Sequence, residues 1–227
     1  MAIAVLGTGM VGQAIAGRLH GLGHEVVVGT RDVDATMSRP PFDEGGSPTF
    51  AAWAADHPGV QVASFADAAA TSDLVVNATS GAVTLDALAE AGAANLAGKV
   101  LLDISNPLDF SRGFPPTLFV KDSDSLGEQV QAAFPNALVV KSLNTMTAAL
   151  MVEPRRVGGG EHSVFVSGND LQAKARVVGL LHEFGHTDVI DLGDITTSRG
   201  PEMFLPLWLR TMQALGTGMF NIKVVRP

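Results

Sequence analysis

A glycine-rich turn near the start of the chain constrains its fold more than any other feature. The turn follows the apolar run at residues 2–6 and precedes a segment whose apolar residues have helical spacing. It consists of Gly7, Thr8, Gly9, Met10, Val11 and Gly12. In such a turn the first glycine permits a tight bend, the second lets a pyrophosphate approach the backbone, and the third lets helix and strand pack closely. The pattern therefore predicts a strand–turn–helix unit that binds a dinucleotide at the N-terminus of the helix.

The end of the second predicted strand, at residues 25–28, indicates which dinucleotide binds. NAD sites usually place an acidic residue there for the ribose 2′-hydroxyl, whereas this strand runs into Thr30 and Arg31. Because Arg forms charge-assisted bonds with phosphate oxygens, we predict NADP. Asp32 is the alternative ribose ligand if Arg31 only faces solvent. In the turn-rich stretch at residues 38–48, Arg39 either folds back toward the 2′-phosphate or is solvated.

The composition is that of a globular chain without disulfides. The 227 residues are 46% hydrophobic and 17% charged and include no cysteine, which excludes a thiolate metal site and fits a reducing cytoplasm. The net charge of −8, without a basic stripe, argues against nucleic acid as a partner. The apolar runs are too short to span a membrane and no signal peptide is evident, so a cytoplasmic location is expected.

Three later apolar runs end in short polar turns. The runs at residues 74–78, 100–104 and 138–143 alternate with helical segments, which is typical of a parallel sheet covered on both faces. Ligands of such sheets bind beyond the carboxyl ends of the strands. Each turn alone could be an ordinary helix cap, but three together favour a cofactor crevice. Its candidate residues are Ala78, Thr79, Ser80, Gly81, Ser105, Asn106, Pro107, Asn144, Thr145 and Met146.

The rest of the chain adds helices, two strands and an aromatic loop. The loop at residues 109–116 is expected to be irregular and either walls a substrate pocket or packs on the surface. Residues 144–152 and 170–184 read as helices, and residues 163–167 and 189–192 as strands. The apolar segment at residues 202–215 is expected to pack against the sheet, a substrate or another subunit. Pro206 should kink this segment or mark the start of its helix.

These elements predict an α/β fold. We expect a Rossmann-type doubly wound, mainly parallel sheet with a smaller C-terminal α/β extension. Residues 1–145 would form the NADP-binding domain, and residues 146–227 a C-terminal domain for the acceptor site and dimerisation.

One motif points to a different chemistry. The run from His182 to His186 matches H-E-x-x-H, a zinc pattern that needs both histidines on one continuing helix. Gly185 is expected to end that helix, so we predict no metal site here. The sequence also lacks an evident Lys, Tyr or His arrangement for protonating a reduced carbonyl. Hydride transfer to a cofactor-like acceptor depends less on such a proton donor, because positioning of the reactants and exclusion of water supply much of the rate acceleration.

Several segments together resemble the coenzyme F420-dependent NADP oxidoreductase family. Besides the glycine-rich turn, they lie at residues 24–31, 140–145, 164–170 and 190–193, followed by residues 198–199 and 205–208. The resemblance runs from residue 2 to about residue 225. It implies hydride exchange between NADP and a deazaflavin coenzyme, and usually a homodimer. It also implies that Thr8, Thr30 and Arg31 hold the 2′-phosphate, while Thr79, Ser80, Asn106, Pro107, Asn144, Thr145 and Met146 surround the ribose and nicotinamide.

The departures from the family pattern concern the acceptor. The archaeal members have a bulky, Trp-containing turn where this chain has Thr79-Ser80-Gly81, and they carry His in place of Asn144. The loop at residues 38–48 is also longer here. Ferric-reductase domains have a segment similar to residues 143–146, which leaves a flavin or a metal chelate open as acceptor. The remaining alternatives are a reductase of a small carbonyl or imine and a non-catalytic NADP-binding sensor. No catalytic group is identified, and Asn144 is the nearest candidate.

Overall fold

The computed structural model describes residues 1–41 and 49–227, and one large sheet organises them. In the described residues, eight strands form this sheet in the order β10-β9-β8-β5-β4-β1-β2-β3, and β6 and β7 form a small antiparallel hairpin. The strands are β1 (Ala2–Leu6), β2 (Glu25–Thr30), β3 (Gln61–Ser64), β4 (Leu74–Asn77), β5 (Val100–Asp103), β6 (Leu108–Asp109), β7 (Thr117–Leu118), β8 (Leu138–Ser142), β9 (Ser163–Gly168) and β10 (Asp188–Gly193).

Helices cover the sheet. They are α1 (Met10–Gly21), α2 (Val33–Met37), α3 (Phe50–Asp56), α4 (Phe65–Ala70), α5 (Thr84–Ala91), α6 (Ala93–Leu96), α7 (Leu126–Ala133), α8 (Ala148–Val152), α9 (Leu171–Phe184), α10 (Arg199–Met203) and α11 (Leu205–Leu215). Single 3-10 turns lie at Gly81–Val83, Pro154–Arg156, Gly158–Gly160 and Ile195–Ser198. In the described part of the chain, no helix is long and apolar enough to cross a bilayer.

The core divides into one apolar cluster on each face of the sheet. Ile3 and Val5 of β1 belong to the first cluster, whereas Ala4 and Leu6 belong to the second. Successive side chains of a strand point to opposite faces, so an entirely apolar strand fills both layers. The α/β, mainly parallel, doubly wound fold predicted from these continuous apolar runs is confirmed.

The strand order places a topological switch point beside β1. That strand pairs in parallel with β2 on one side and with β4 on the other. The sheet then continues in parallel to β5 and β8, so the carboxyl ends of these strands meet at one edge. In open sheets of this kind, ligands bind at such an edge.

The C-terminal strands continue the same sheet. β9 pairs antiparallel with β8, and β10 pairs parallel with β9. The sheet therefore extends across the boundary predicted after residue 145, and the division into two functional domains stays a prediction.

Three predicted elements differ in their bounds. The helix expected from Asn144 begins only at Ala148, because Leu143 adopts a left-handed backbone (φ 62°) and Thr147 is still extended at the N-cap. The loop at residues 109–116 begins within β6 and is framed by the hairpin. The apolar segment after residue 201 forms two helices, and Pro206 lies in the first turn of the second, as predicted.

Candidate functional site

The glycine-rich turn joins β1 to α1 in a conformation that requires its glycines. Gly7 has a φ of 117°, and a Cβ on Gly12 would overlap the Gly7 carbonyl. Gly9, by contrast, has open space around the position of a Cβ and caps α1 without any side-chain hydrogen bond. The first N–H groups of α1 thus stay available to an anion, which is how helix N-termini bind phosphates. This open cradle fits a dinucleotide pyrophosphate.

Two arginines, Arg31 and Arg39, follow the end of β2. The Thr30 hydroxyl is buried and lies 2.7 Å from the Thr36 hydroxyl, and an Arg39 nitrogen lies 3.5 Å from the same Thr36 oxygen. Arg31 is largely exposed and donates from Nε to a carboxylate oxygen of Glu90 at 3.1 Å. The structure thus brings Arg39 toward this end of the sheet, and it adds Thr36, which sequence reasoning missed.

Asp32, the alternative ribose ligand, has another structural role. Its carboxylate accepts a hydrogen bond from the backbone N–H of Ala35 at 2.9 Å and so caps α2. An N-cap Asp satisfies helix N–H groups that would otherwise lack partners. Recognising Asp32 as a cap in the sequence would have predicted α2 and, with it, the position of Thr36 one turn into the helix.

The turns after β4 and β5 enclose a cavity of about 160 Å³. The two turns touch, because a Cβ on Gly81 would overlap the carbonyl of Asn106. The cavity, called the crevice below, is lined by Val11, Ala78, Thr79, Ser80, Gly81, Ile104, Ser105, Asn106, Leu108 and Phe110. Val11 connects it to the glycine-rich turn. Among the described residues that line the crevice, no side chain carries an acid or a base.

The turn after β8 lies behind this crevice and supports it. Asn144 is 2% exposed, and its side-chain amide donates to the side-chain oxygen of Asn106 at 3.0 Å. The Asn106 amide in turn donates to the backbone carbonyl of Asn144 at 2.9 Å. Thr145 and Met146 are buried as well, and Pro107 accepts a backbone hydrogen bond from Phe119. Asn144 is thus placed to hold Asn106, and its contact with a cofactor stays a prediction.

A fully buried ion cluster lies beside Ser105. The Lys141 ammonium is 2.8 Å from a carboxylate oxygen of Asp103, 2.8 Å from one of Glu202, and donates to the Ser105 carbonyl at 2.6 Å. Burial alone would lower the pKa of Lys141, but the two carboxylates outweigh it and raise the pKa, so the amine stays protonated. Sequence reasoning missed this cluster, although charged residues at the ends of apolar strands were a usable signal, because buried charges need partners.

The H-E-x-x-H run takes part in packing. Gly185 ends α9 with a φ of 106°, as predicted, so His186 lies beyond the helix. The His186 ring contacts the carbonyl of Met151 at 2.9 Å, and burial lowers the pKa of this histidine to about 4. In residues 1–41 and 49–227, no three His, Asp or Glu side chains lie close enough to share a metal ion.

Comparison with known proteins places the chain in a family. Residues 2–107 match the model of the family described as NADP oxidoreductase, coenzyme F420-dependent. A crystal structure of a protein from Arthrobacter sp. FB24, provisionally assigned as an F420-dependent NADP reductase, is 61% identical, covers 100% of both chains and superposes with a TM-score of 0.95. The chain belongs to the F420-dependent NADP oxidoreductase family. This family comprises NADP-dependent oxidoreductases, the class that the sequence predicted.

More distant relatives match this chain in sequence or share its fold. The rat metalloreductase STEAP3 is 31% identical over 221 residues, which cover 94% of this chain and 39% of the rat protein. The human metalloreductase STEAP2 is 31% identical over 118 residues, or 52% of this chain and 21% of that protein. The chain thus spans less than half the length of these curated relatives. A reductive aminase from Aspergillus terreus in complex with NADPH and ethyl levulinate is 20% identical, covers 94% of this chain and 61% of its own, and shares the fold with a TM-score of 0.62.

Proposed function

We propose that this protein transfers a hydride between NADP(H) and a deazaflavin, coenzyme F420, or a flavin-like ring, in the crevice at the ends of β4 and β5. The observation that carries the choice of acceptor is the lining of the crevice, whose described residues include no acid or base. Reduction of a carbonyl or imine benefits from a positioned proton donor. An extended ring system delocalises the electrons it receives and therefore depends less on such a group.

The cofactor-binding residues follow from the site geometry. The N–H groups at the start of α1 would hold the pyrophosphate, and Thr30, Arg31, Thr36 and Arg39 the 2′-phosphate. Thr79, Ser80 and Asn106 would contact the ribose and the nicotinamide. Bound NADPH supplies the hydride from its nicotinamide ring. The fit is supported by the open space around Gly9 and by the two arginines at the end of β2.

The walls of the crevice suit a flat, partly apolar acceptor. Val11 and Leu108 line it with aliphatic groups, and Phe110 is 58% exposed at its edge. Aromatic rings pack favourably face to face or edge to face, so Phe110 offers a surface for a planar ring. With an acceptor ring bound against them, these side chains would keep water from the reacting atoms, which protects a hydride donor from side reactions.

A metal chelate is the second candidate acceptor, favoured by the similarity to the metalloreductase STEAP3. NADPH donates two electrons as a hydride, whereas a ferric ion takes one. Reduction of two ferric chelates by one NADPH therefore needs a carrier that accepts a hydride and releases single electrons, such as a flavin. In this case the flavin would again occupy the crevice.

The experiment is an acceptor comparison. The protein is mixed with NADPH, and the absorbance of NADPH is followed with one acceptor at a time: coenzyme F420, FMN, ferric chelate, ferric chelate plus FMN, a small ketone, or a small imine. We expect turnover with a ring acceptor and none with ferric chelate alone. Turnover only with a small ketone or imine would contradict the proposal. Tight NADPH binding without turnover on any acceptor would instead indicate a sensor.

We further propose that the protein is a cytoplasmic homodimer that uses the exposed face of α11. Leu207 and Leu215 on this helix are 62% and 58% exposed. A second cavity joins the helix to the hairpin, with Pro116, Leu118 and Leu209 among its lining residues. A helix with apolar side chains on its outer face is typical of an interface.

A further inference from the structure

Three charged side chains form a fully buried cluster next to the crevice. Asp103, Lys141 and Glu202, called the charged triad below, are each no more than 1% exposed. Burying ions costs several kcal/mol each, and replacing such clusters with apolar side chains is often neutral or stabilising. Stability alone therefore does not account for the charged triad, and its contacts indicate what else it does.

Ser105, which lines the crevice, is held by the charged triad through its backbone and its side chain. Its carbonyl accepts from Lys141 at 2.6 Å, while its N–H and its hydroxyl both donate to Asp103, at 3.1 and 2.7 Å. Neither the position of the backbone here nor the rotamer of the serine is free to change without breaking a bond to a buried charge.

The turn after β4 is attached to the same carboxylate. Asn77 donates to Asp103 at 2.8 Å and accepts from the hydroxyl of Thr79 at 2.6 Å. Asp103 therefore bonds directly to one wall of the crevice and, through Asn77, to the other. Asn77 itself is fully buried and is not among the lining residues.

The charged triad also reaches the C-terminal helices. Glu202 lies on α10 and accepts from the backbone N–H groups of Leu126 and Gly127, at 2.8 and 3.0 Å, at the start of α7. The favourable end of that helix dipole adds to the stabilisation of the carboxylate. Segments far apart in sequence thus meet at one ammonium group.

We propose that Lys141, acting through Asp103 and Glu202, is a positioning residue that fixes Thr79 and Ser105 for binding of the nicotinamide end of NADP(H). This inference rests on the proposed function, because it assigns the crevice to that end of the cofactor. Lys141 does not line the crevice, so its role is to hold the two turns rather than to contact the reacting atoms.

The test is a charge-balanced double variant, Lys141→Met with Glu202→Gln. It keeps a single negative charge on Asp103, and the three wild-type residues also sum to one negative charge. The melting temperature of each protein is measured by circular dichroism. Binding of NADPH and of NADH is then measured by fluorescence titration well below that temperature. We expect both cofactors to bind roughly tenfold more weakly, as loss of charge-assisted bonds predicts, with the preference for NADPH unchanged. Unchanged dissociation constants with a lower melting temperature would mean a purely structural role and overturn the inference.

A second variant covers the case in which the double variant does not fold. Asn77→Leu removes the link from Asp103 to Thr79 and leaves the ion pairs of Lys141 in place. This variant should also weaken the binding of both NADPH and NADH, by a smaller factor than the double variant does. The matched control is Lys174→Met, which removes another buried lysine, paired with Asp191 at 2.9 Å outside the crevice. This variant should lose stability but keep wild-type binding.

The wild-type titration separates the two proposals. If the wild-type protein binds neither NADPH nor NADH, the proposed function fails and this inference falls with it. If the wild type binds NADPH and the folded variants bind it equally well, only the positioning role is wrong.

Discussion

The side chains of Arg31 and Arg39 follow the end of β2, and each interacts with an oxygen atom of another side chain. Arg31 pairs with Glu90 at the surface, and Arg39 approaches the hydroxyl of Thr36. An exposed ion pair contributes roughly 0–1 kcal/mol, so Arg31 can exchange Glu90 for a phosphate at small cost. Two positive charges are thus present after β2 before any ligand binds.

Replacing Arg31 by Ala should weaken NADPH binding by about 1.5–3 kcal/mol, the range for a hydrogen bond to a charged group. NADH, which lacks the 2′-phosphate, should bind almost as before. Both dissociation constants are measured by fluorescence titration. The control Arg176→Ala removes an exposed arginine of α9 and should change neither value. Equal losses for NADPH and NADH in Arg31→Ala would show that this residue does not read the 2′-phosphate.

At the scale of elements, local signals set some boundaries and contacts between segments set others. Gly185 ends α9 and Pro206 begins α11 because each residue restricts its own backbone. The start of α8 was predicted wrongly, since the polar run from Asn144 onward reads as helical. In the structure that run is held as a loop by the pairing of Asn144 with Asn106, a residue 38 positions away.

The junction of α9 and α8 should make stability depend on pH. His186 contacts the carbonyl of Met151, and its pKa in the folded protein is about 4, below the ordinary value of 6.5. Below pH 6.5 the unfolded chain binds a proton that the folded protein does not, so stability falls as the pH drops from 6.5 toward 4. The loss should approach about 3 kcal/mol.

Urea unfolding at pH 7.5 and pH 4.5 measures this loss. The variant His186→Gln should show a smaller difference in unfolding free energy between the two pH values than the wild type. The control His20→Gln changes a half-buried histidine of α1 and should keep most of the wild-type difference. If His186→Gln retains the full difference, another group is responsible.

At the scale of the whole molecule, one sheet carries the crevice, and an ion pair attaches the C-terminal helices to strand β8 of that sheet. Glu202 of α10 joins the charged triad, and α11 follows directly, with Trp208 stacked on Phe220 of the C-terminal tail. The face of α11 proposed as a dimer interface is therefore connected through α10 to the crevice.

Leu207→Asp should convert the proposed dimer to a monomer, because a carboxylate would be buried without a partner at the centre of the interface. Light scattering coupled to size-exclusion chromatography gives the mass. The matched control is Leu171→Asp at the start of α9, because this leucine is also well exposed (72%, compared with 62% for Leu207) and lies outside this face. A wild-type mass of one chain, or a dimer that survives Leu207→Asp, would contradict the assignment of the interface.

The sequence by itself determined the fold class and predicted where a dinucleotide binds. The glycine-rich turn, the arginine after β2 and the apolar strands act through neighbouring residues, whose backbone preferences and hydrogen-bonding groups can be read directly. The tertiary structure alone decided which polar residues of the three turns line the crevice and which lie behind it. It also brought Asp103, Lys141 and Glu202 together from three distant segments. Such contacts depend on strand order and helix packing, which local spacing does not encode.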